Sequence, residues 1–175
     1  MDSDTADRHL VHATSVALAH AAGNFGGAGN AAVLLLGESG AGKSDLGLRL
    51  IAMGAQLIAD DQTSLFVRDQ RLYASAPPAL LGQMEIRGAG IVKMDAATPA
   101  PVILAVKLQK EAPPRLPEPE TWPLPPAFSG INPPVLLRLC PFESSAPAKI
   151  AAVAAALYRG GFAAGLAEPP SRSFL

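Results

Sequence analysis

Residues 33–50 read VLLLGESGAGKSDLGLRL. An apolar run of strand character breaks after Leu36 into a loop with three glycines, then Lys43 and Ser44, then a stretch with helical spacing. Gly37 to Ser44 fit the pattern glycine, four residues, Gly-Lys-Ser, the phosphate-binding loop (P-loop) that joins a buried strand to a helix. Chemistry explains the spelling. Gly37, Gly40 and Gly42 let the backbone wrap closely and turn successive N–H groups inward as an anion nest. Lys43 adds a point charge for β- and γ-phosphates, the Ser44 hydroxyl can hold Mg²⁺, and the helix presents its positive dipole end. The expected nucleotide contacts are Gly37, Glu38, Ser39, Gly40, Ala41, Gly42, Lys43 and Ser44.

The flanks supply what such a loop needs. AAVLLL reads as a strand buried on both faces. Over residues 44–53, Leu46, Leu50 and Met53 share one helical face, and Gly54 stands at the C-cap. AQLIADD is a second buried strand. This order predicts a βαβ unit with neighbouring strands, its loop at the carboxyl end where such sheets bind ligands.

Elsewhere LVHATSVALA and PVILAVKLQ read as strands, and HAAGNFGGAGN as a hairpin loop. TSLFVRD and RLYASAP form a hairpin turning at Asp69-Gln70. SAPAKIAAVAAALY opens a helix at Ser145 and Pro147. Nine prolines in residues 112–134 exclude regular helix or central strand there. That segment is either an ordered irregular lid or a loose excursion. The expectation is an α/β fold in one domain, residues 9–175, after a disordered terminus at 1–8.

Composition narrows the function classes. At 175 residues, 49% hydrophobic and 17% charged, the chain suits one globular domain. A net charge of −1, nine aromatic residues and no basic stripe argue against nucleic acid or anionic membrane as partner. The single cysteine, Cys140, permits no internal disulfide and reads as a buried strand end in VLLRLCPF. MDSDTADRH carries three aspartates and no basic leader, and IAAVAAALYRGGFAAGL is broken by Arg159 and a Gly pair. Both point away from secretion and membrane insertion and toward the cytoplasm.

Asp60 and Asp61 lie 17 and 18 residues beyond Lys43 and end the second buried strand. That places both carboxylates at the P-loop edge of the sheet. One is suited to hold Mg²⁺ and the other to accept a proton from an attacking hydroxyl. An ordinary Asp-Asp turn spells the same way. In MEIRGAGIVK, Glu85 and Arg87 share one strand face before a turn at Gly88 and Gly90. The pair serves either Mg²⁺ and phosphate or a surface ion pair. His9, His12 and His20 show no metal spacing and read individually as structural histidines.

Taken together, VHAT, GESGAGKSDLGLRLIAMGAQLIADDQ and LLGQMEIRGAGIV resemble the catalytic domain of HPr kinase/phosphorylase, most closely its short alphaproteobacterial form. The resemblance covers residues 9–93. It implies a P-loop kinase-like domain with a mixed β-sheet, of the type shared with phosphoenolpyruvate carboxykinase. It also implies ATP and Mg²⁺ as cofactors, a serine of the phosphocarrier protein HPr as acceptor, and a homo-oligomer (hexamers in the family). By position, Asp61 would be the proton acceptor, with His12, Lys43 and Arg87 also catalytic. Ser44, Asp60 and Glu85 would serve Mg²⁺, and Met84 to Lys93 would form a mechanistic loop.

Four departures accompany it. The amino-terminal domain of longer members is expected to be absent, and the loop after His12 is expanded. The family's later catalytic arginine has only Arg115 as a counterpart, and PFESSAPAK replaces the segment used for phosphorolysis. The expected activity is an ATP-dependent protein serine kinase in carbohydrate and phosphotransferase-system regulation, with phosphorolysis less well supported. The alternatives are a nucleotide-binding sensor and a small-metabolite kinase.

Overall fold

The computed structural model describes residues 8–18, 30–159 and 166. The terminus at 1–7, most of the hairpin loop HAAGNFGGAGN with His20, and most of the tail after Arg159 lie outside the described residues.

Nine strands and two α-helices are described. In chain order they are β1 (His9–Leu18), β2 (Ala31–Leu36), α1 (Lys43–Ala52), β3 (Gln56–Ala59), β4 (Gln62–Arg68) and β5 (Arg71–Ser75). There follow β6 (Gln83–Ile86), β7 (Gly90–Lys93), β8 (Ala100–Leu108), β9 (Val135–Leu139) and α2 (Ala146–Arg159).

β1 organises the sheet. Its Ala13–Leu18 half pairs antiparallel with β2 on one side and, from Ser15 on, with β3 on the other. Its His9–His12 half pairs with β4. β2 also runs parallel to β8, and β8 parallel to β9. Since β4 pairs with β5 and β5 with β8, the ladder β2-β1-β4-β5-β8 closes back on β2. β6 and β7 form a separate hairpin.

The expected neighbours β2 and β3 are therefore not adjacent: β1 lies between them. The crossover through α1 skips one position. β1 wins that place because Val16 and Ala17, both wholly buried, bring apolar side chains to each face there.

The two sheet faces carry separate cores. On one, Leu46 and Leu50 of α1 and Ile150, Ala154 and Leu157 of α2 cover Val33, Leu35, Leu104 and Val106. On the other, Leu34, Ile58, Leu65 and Leu72 pack with Phe128, flanked by Trp122 and Leu124. The proline-rich segment is thus an ordered cover on the core opposite the helices. Met53 departs from its expected face. It is the C-cap of α1, half exposed, and the chain leaves the helix through Gly54 at φ 104°.

The β4–β5 turn is made by Asp69 and Gln70 at φ 48° and 59°. Two left-handed residues match the twist of a two-residue hairpin. Cys140 is half-buried just past β9 rather than enclosed in the core. Among the described residues no helix is long and apolar enough to cross a membrane.

Candidate functional site

β2 and β3 both run antiparallel to β1, so their carboxyl ends arrive at the same edge, beside His12 and Thr14 of β1. β2 leads into the phosphate-binding loop, whose Gly40 and Gly42 adopt φ 80° and 94°. Only glycine takes such angles without strain. Gly42 is the N-cap of α1, so the first turn of that helix opens directly from the loop.

Lys43, 7% exposed, lies under the loop. Its Nζ donates to the carbonyls of Gly37 (2.9 Å) and Glu38 (2.8 Å) and to His12 Nε2 (2.9 Å). All three ammonium donors are engaged. Burial pushes the Lys43 pKa below its ordinary 10.5, while the Asp61 and Asp60 charges pull it back up. With Nε2 accepting from a charged lysine, the hydrogen-bond network assigns the imidazole proton to Nδ1. Nδ1 lies 3.3 Å from Asp61 Oδ1.

The adjacent aspartates have opposite environments. Asp60 is 5% exposed. Its Oδ1 accepts from Thr14 Oγ1 (2.7 Å) and Ser44 Oγ (2.8 Å), and its Oδ2 from the Glu85 backbone N–H (3.0 Å). The Asp61 side chain is 69% exposed and faces the cavity. Asp61 has φ 64°, in a tight turn closed by Gln62 N–H to the Asp60 carbonyl at 2.7 Å. A non-glycine residue held there stores backbone strain of a kind that clusters at functional positions.

The cavity has a volume of about 440 Å³. It brings together His12, Lys43, Ser44, Asp61, Glu85 and Arg87, with Ser39, Gly40 and Gly42 of the loop. Asp60 stands behind this wall, reaching it through Ser44 and Glu85. Glu85 and Arg87 come from the β6–β7 hairpin, with Arg87 one residue past β6 rather than within the strand. Gly37, Glu38 and Ala41 form the stem of the loop, closed by Ala41 N–H to the Glu38 carbonyl. Arg115 is exposed and does not line the cavity. His9 packs edge-on against Phe128, a structural role.

The donor chemistry fits a hard divalent cation. Because Ser44 gives its proton to Asp60, the hydroxyl oxygen keeps lone pairs for an ion. Among the described residues no group of three or more His, Cys, Asp or Glu could hold an ion alone.

Three contributors were not singled out from the sequence. Thr14 is wholly buried against Asp60. Phe142, from the loop after β9, lines the cavity while 72% exposed. Arg49 of α1 donates to the carbonyls of Pro141 and Glu143 and fastens that loop. Each joins the site through long-range contact, which no local pattern encodes.

Residues 19–103 match the family described as HPr Serine kinase C-terminal domain. The chain is 39% identical over 93 residues to the HPr kinase/phosphorylase of Lacticaseibacillus casei (strain BL23), covering 53% of this chain and 26% of that protein. The counterpart from Limosilactobacillus reuteri (strain DSM 20016) is 49% identical over 61 residues, 34% of this chain and 19% of that protein. The chain thus covers about a quarter or less of the length of these curated relatives. The structure of the Hpr(Ser) kinase/phosphatase from Coxiella burnetii matches with a TM-score of 0.56 at 24% identity, covering 83% of this chain and 94% of that one. The chain shares the mixed α/β fold of that structure.

Proposed function

We propose, from the match of residues 19–103 to the family described as HPr Serine kinase C-terminal domain, that the chain is a cytoplasmic, ATP-dependent kinase acting on a serine of HPr. The observation that carries the reading is the division between Asp60, buried and triply hydrogen-bonded, and Asp61, exposed beside His12 in the P-loop cavity. A protein that only binds nucleotide has no need of a strained, solvent-facing carboxylate there.

The residues take complementary parts. The loop N–H groups and the amino end of α1 receive the phosphates. Lys43 leaves the carbonyls of Gly37 and Glu38 to meet the β- and γ-phosphates, while His12 keeps Asp61 oriented through Nδ1. The acceptor hydroxyl attacks the γ-phosphorus, its proton passes to Asp61, and the bond to the ADP oxygen breaks. Ser44, Asp60 and Glu85 would hold Mg²⁺, which would supply charge neutralisation to the phosphate oxygens. Arg87, on the β6–β7 hairpin, adds a donor fork for the moving phosphoryl group. Phosphorolysis of the phosphoserine would run through the same atoms, with Asp61 returning the proton.

The test is transfer of label from γ-labelled ATP to HPr with Mg²⁺, comparing the wild type with Asp61→Asn. Label on an HPr serine that falls by at least about a hundred-fold in the variant supports the reading. Nucleotide binding without transfer in the wild type overturns it.

A further inference from the structure

We propose that Phe142 is the platform on which the nucleobase of the bound nucleotide stacks. The proposal rests on the P-loop being an ATP site and adds the feature that holds the other end of the molecule.

The parallel strands β2, β8 and β9 end at one edge in that order. β2 continues into the P-loop, and β9 into Cys140, Pro141 and Phe142. The phosphate-transfer groups lie on the opposite flank, on β1 and at the end of β3: His12, Asp60 and Asp61. A triphosphate lying along the loop with its γ-end at Asp61 directs its ribose and base toward the ends of β8 and β9. Phe142 stands there. Its ring lies against Gly42, so that a Cβ at that glycine would sit 3.0 Å from the ring Cζ.

A phenylalanine 72% exposed loses the benefit of apolar burial, yet this one is on a fastened loop. Arg49 binds the Pro141 and Glu143 carbonyls, Ala146 N–H donates to Glu143 O (3.0 Å), and Lys149 pairs with the Glu143 carboxylate. The neighbouring Pro141 further limits the backbone. The result is an aromatic side chain on an anchored loop, lining the open cavity beside the phosphate-binding loop. Stacking on such a ring needs no hydrogen-bond readout, so the platform accepts any purine base.

The experiment is calorimetric titration of the full chain with Mg²⁺ and two probes, ATP and inorganic tripolyphosphate, which has no base. Phe142→Ala is expected to weaken ATP about ten-fold and to leave tripolyphosphate unchanged. Phe142→Trp is expected to restore ATP binding, and Phe142→Leu, apolar but without a π-face, is not. Equal weakening of both probes, or an unchanged ATP affinity, overturns the platform while leaving the P-loop assignment standing. If neither probe binds the wild type, the P-loop assignment fails and the platform with it.

Discussion

The ammonium of Lys43 lies 2.9 Å from Nε2 of His12, whose other ring nitrogen lies 3.3 Å from the Asp61 carboxylate. This row connects the Lys43 ammonium to the Asp61 carboxylate through one imidazole. His12→Ala removes the link and leaves Asp61 without its orienting partner. Phosphoryl transfer is expected to fall by about 10²- to 10⁴-fold with ATP affinity changed far less. Steady-state kinetics on HPr check this, and an unchanged turnover number would remove His12 from the machinery.

Burial lowers the pKa of Lys43 and the Asp61 charge raises it. ATP affinity should therefore decline with alkaline pH at a midpoint below 10.5, the lysine losing its proton earlier than usual. Asp61→Asn should move that midpoint lower still. Stability follows the opposite trend. Between the lowered folded value and 10.5 the unfolded chain binds more protons, so stability rises with pH across that window. Lys43→Met should flatten the rise in urea titrations.

Asp61 carries strain as well as charge. At φ 64°, Asp61→Gly is expected to stabilise the fold by about 1 kcal/mol while abolishing transfer. Chemical denaturation alongside the labelling assay would measure both, and a less stable glycine variant would contradict the strain argument.

Asp60 is the structural partner of the pair. Asp60→Ala leaves the buried Thr14 hydroxyl and the Glu85 N–H without their acceptor. A loss of about 2–4 kcal/mol in unfolding free energy is expected from urea titration. Asp60→Asn, which keeps one acceptor oxygen, should lose less.

Phe128 belongs to the cover on the core opposite the helices. It is 3% exposed and belongs to the core away from the P-loop helix. Phe128→Ala should cost about 3–5 kcal/mol by denaturation. ATP affinity of the remaining folded protein should be unchanged; a changed affinity would mean that the proline-rich segment reaches the site.

The sequence by itself determined the local chemistry. Glycine conformational freedom, the Gly-Lys-Ser spelling and the strand-to-helix switch at Gly37–Ser44 are short-range properties, and they lead to the loop seen around Lys43. The two-residue turn at Asp69-Gln70 was legible for the same reason. Asp60 and Asp61 were legible as a pair at a strand end with separate tasks, but not as one buried and one exposed carboxylate. Burial of Asp60 comes from Thr14, 46 positions away, and from the Glu85 backbone, 25 positions away. Only the tertiary structure decided that β1 separates β2 from β3, that the proline-rich segment covers a core, and that Phe142 stands beside the P-loop. Strand order and long-range contact are settled by which apolar faces can be buried together. That is a property of the whole chain, and no window of residues carries it.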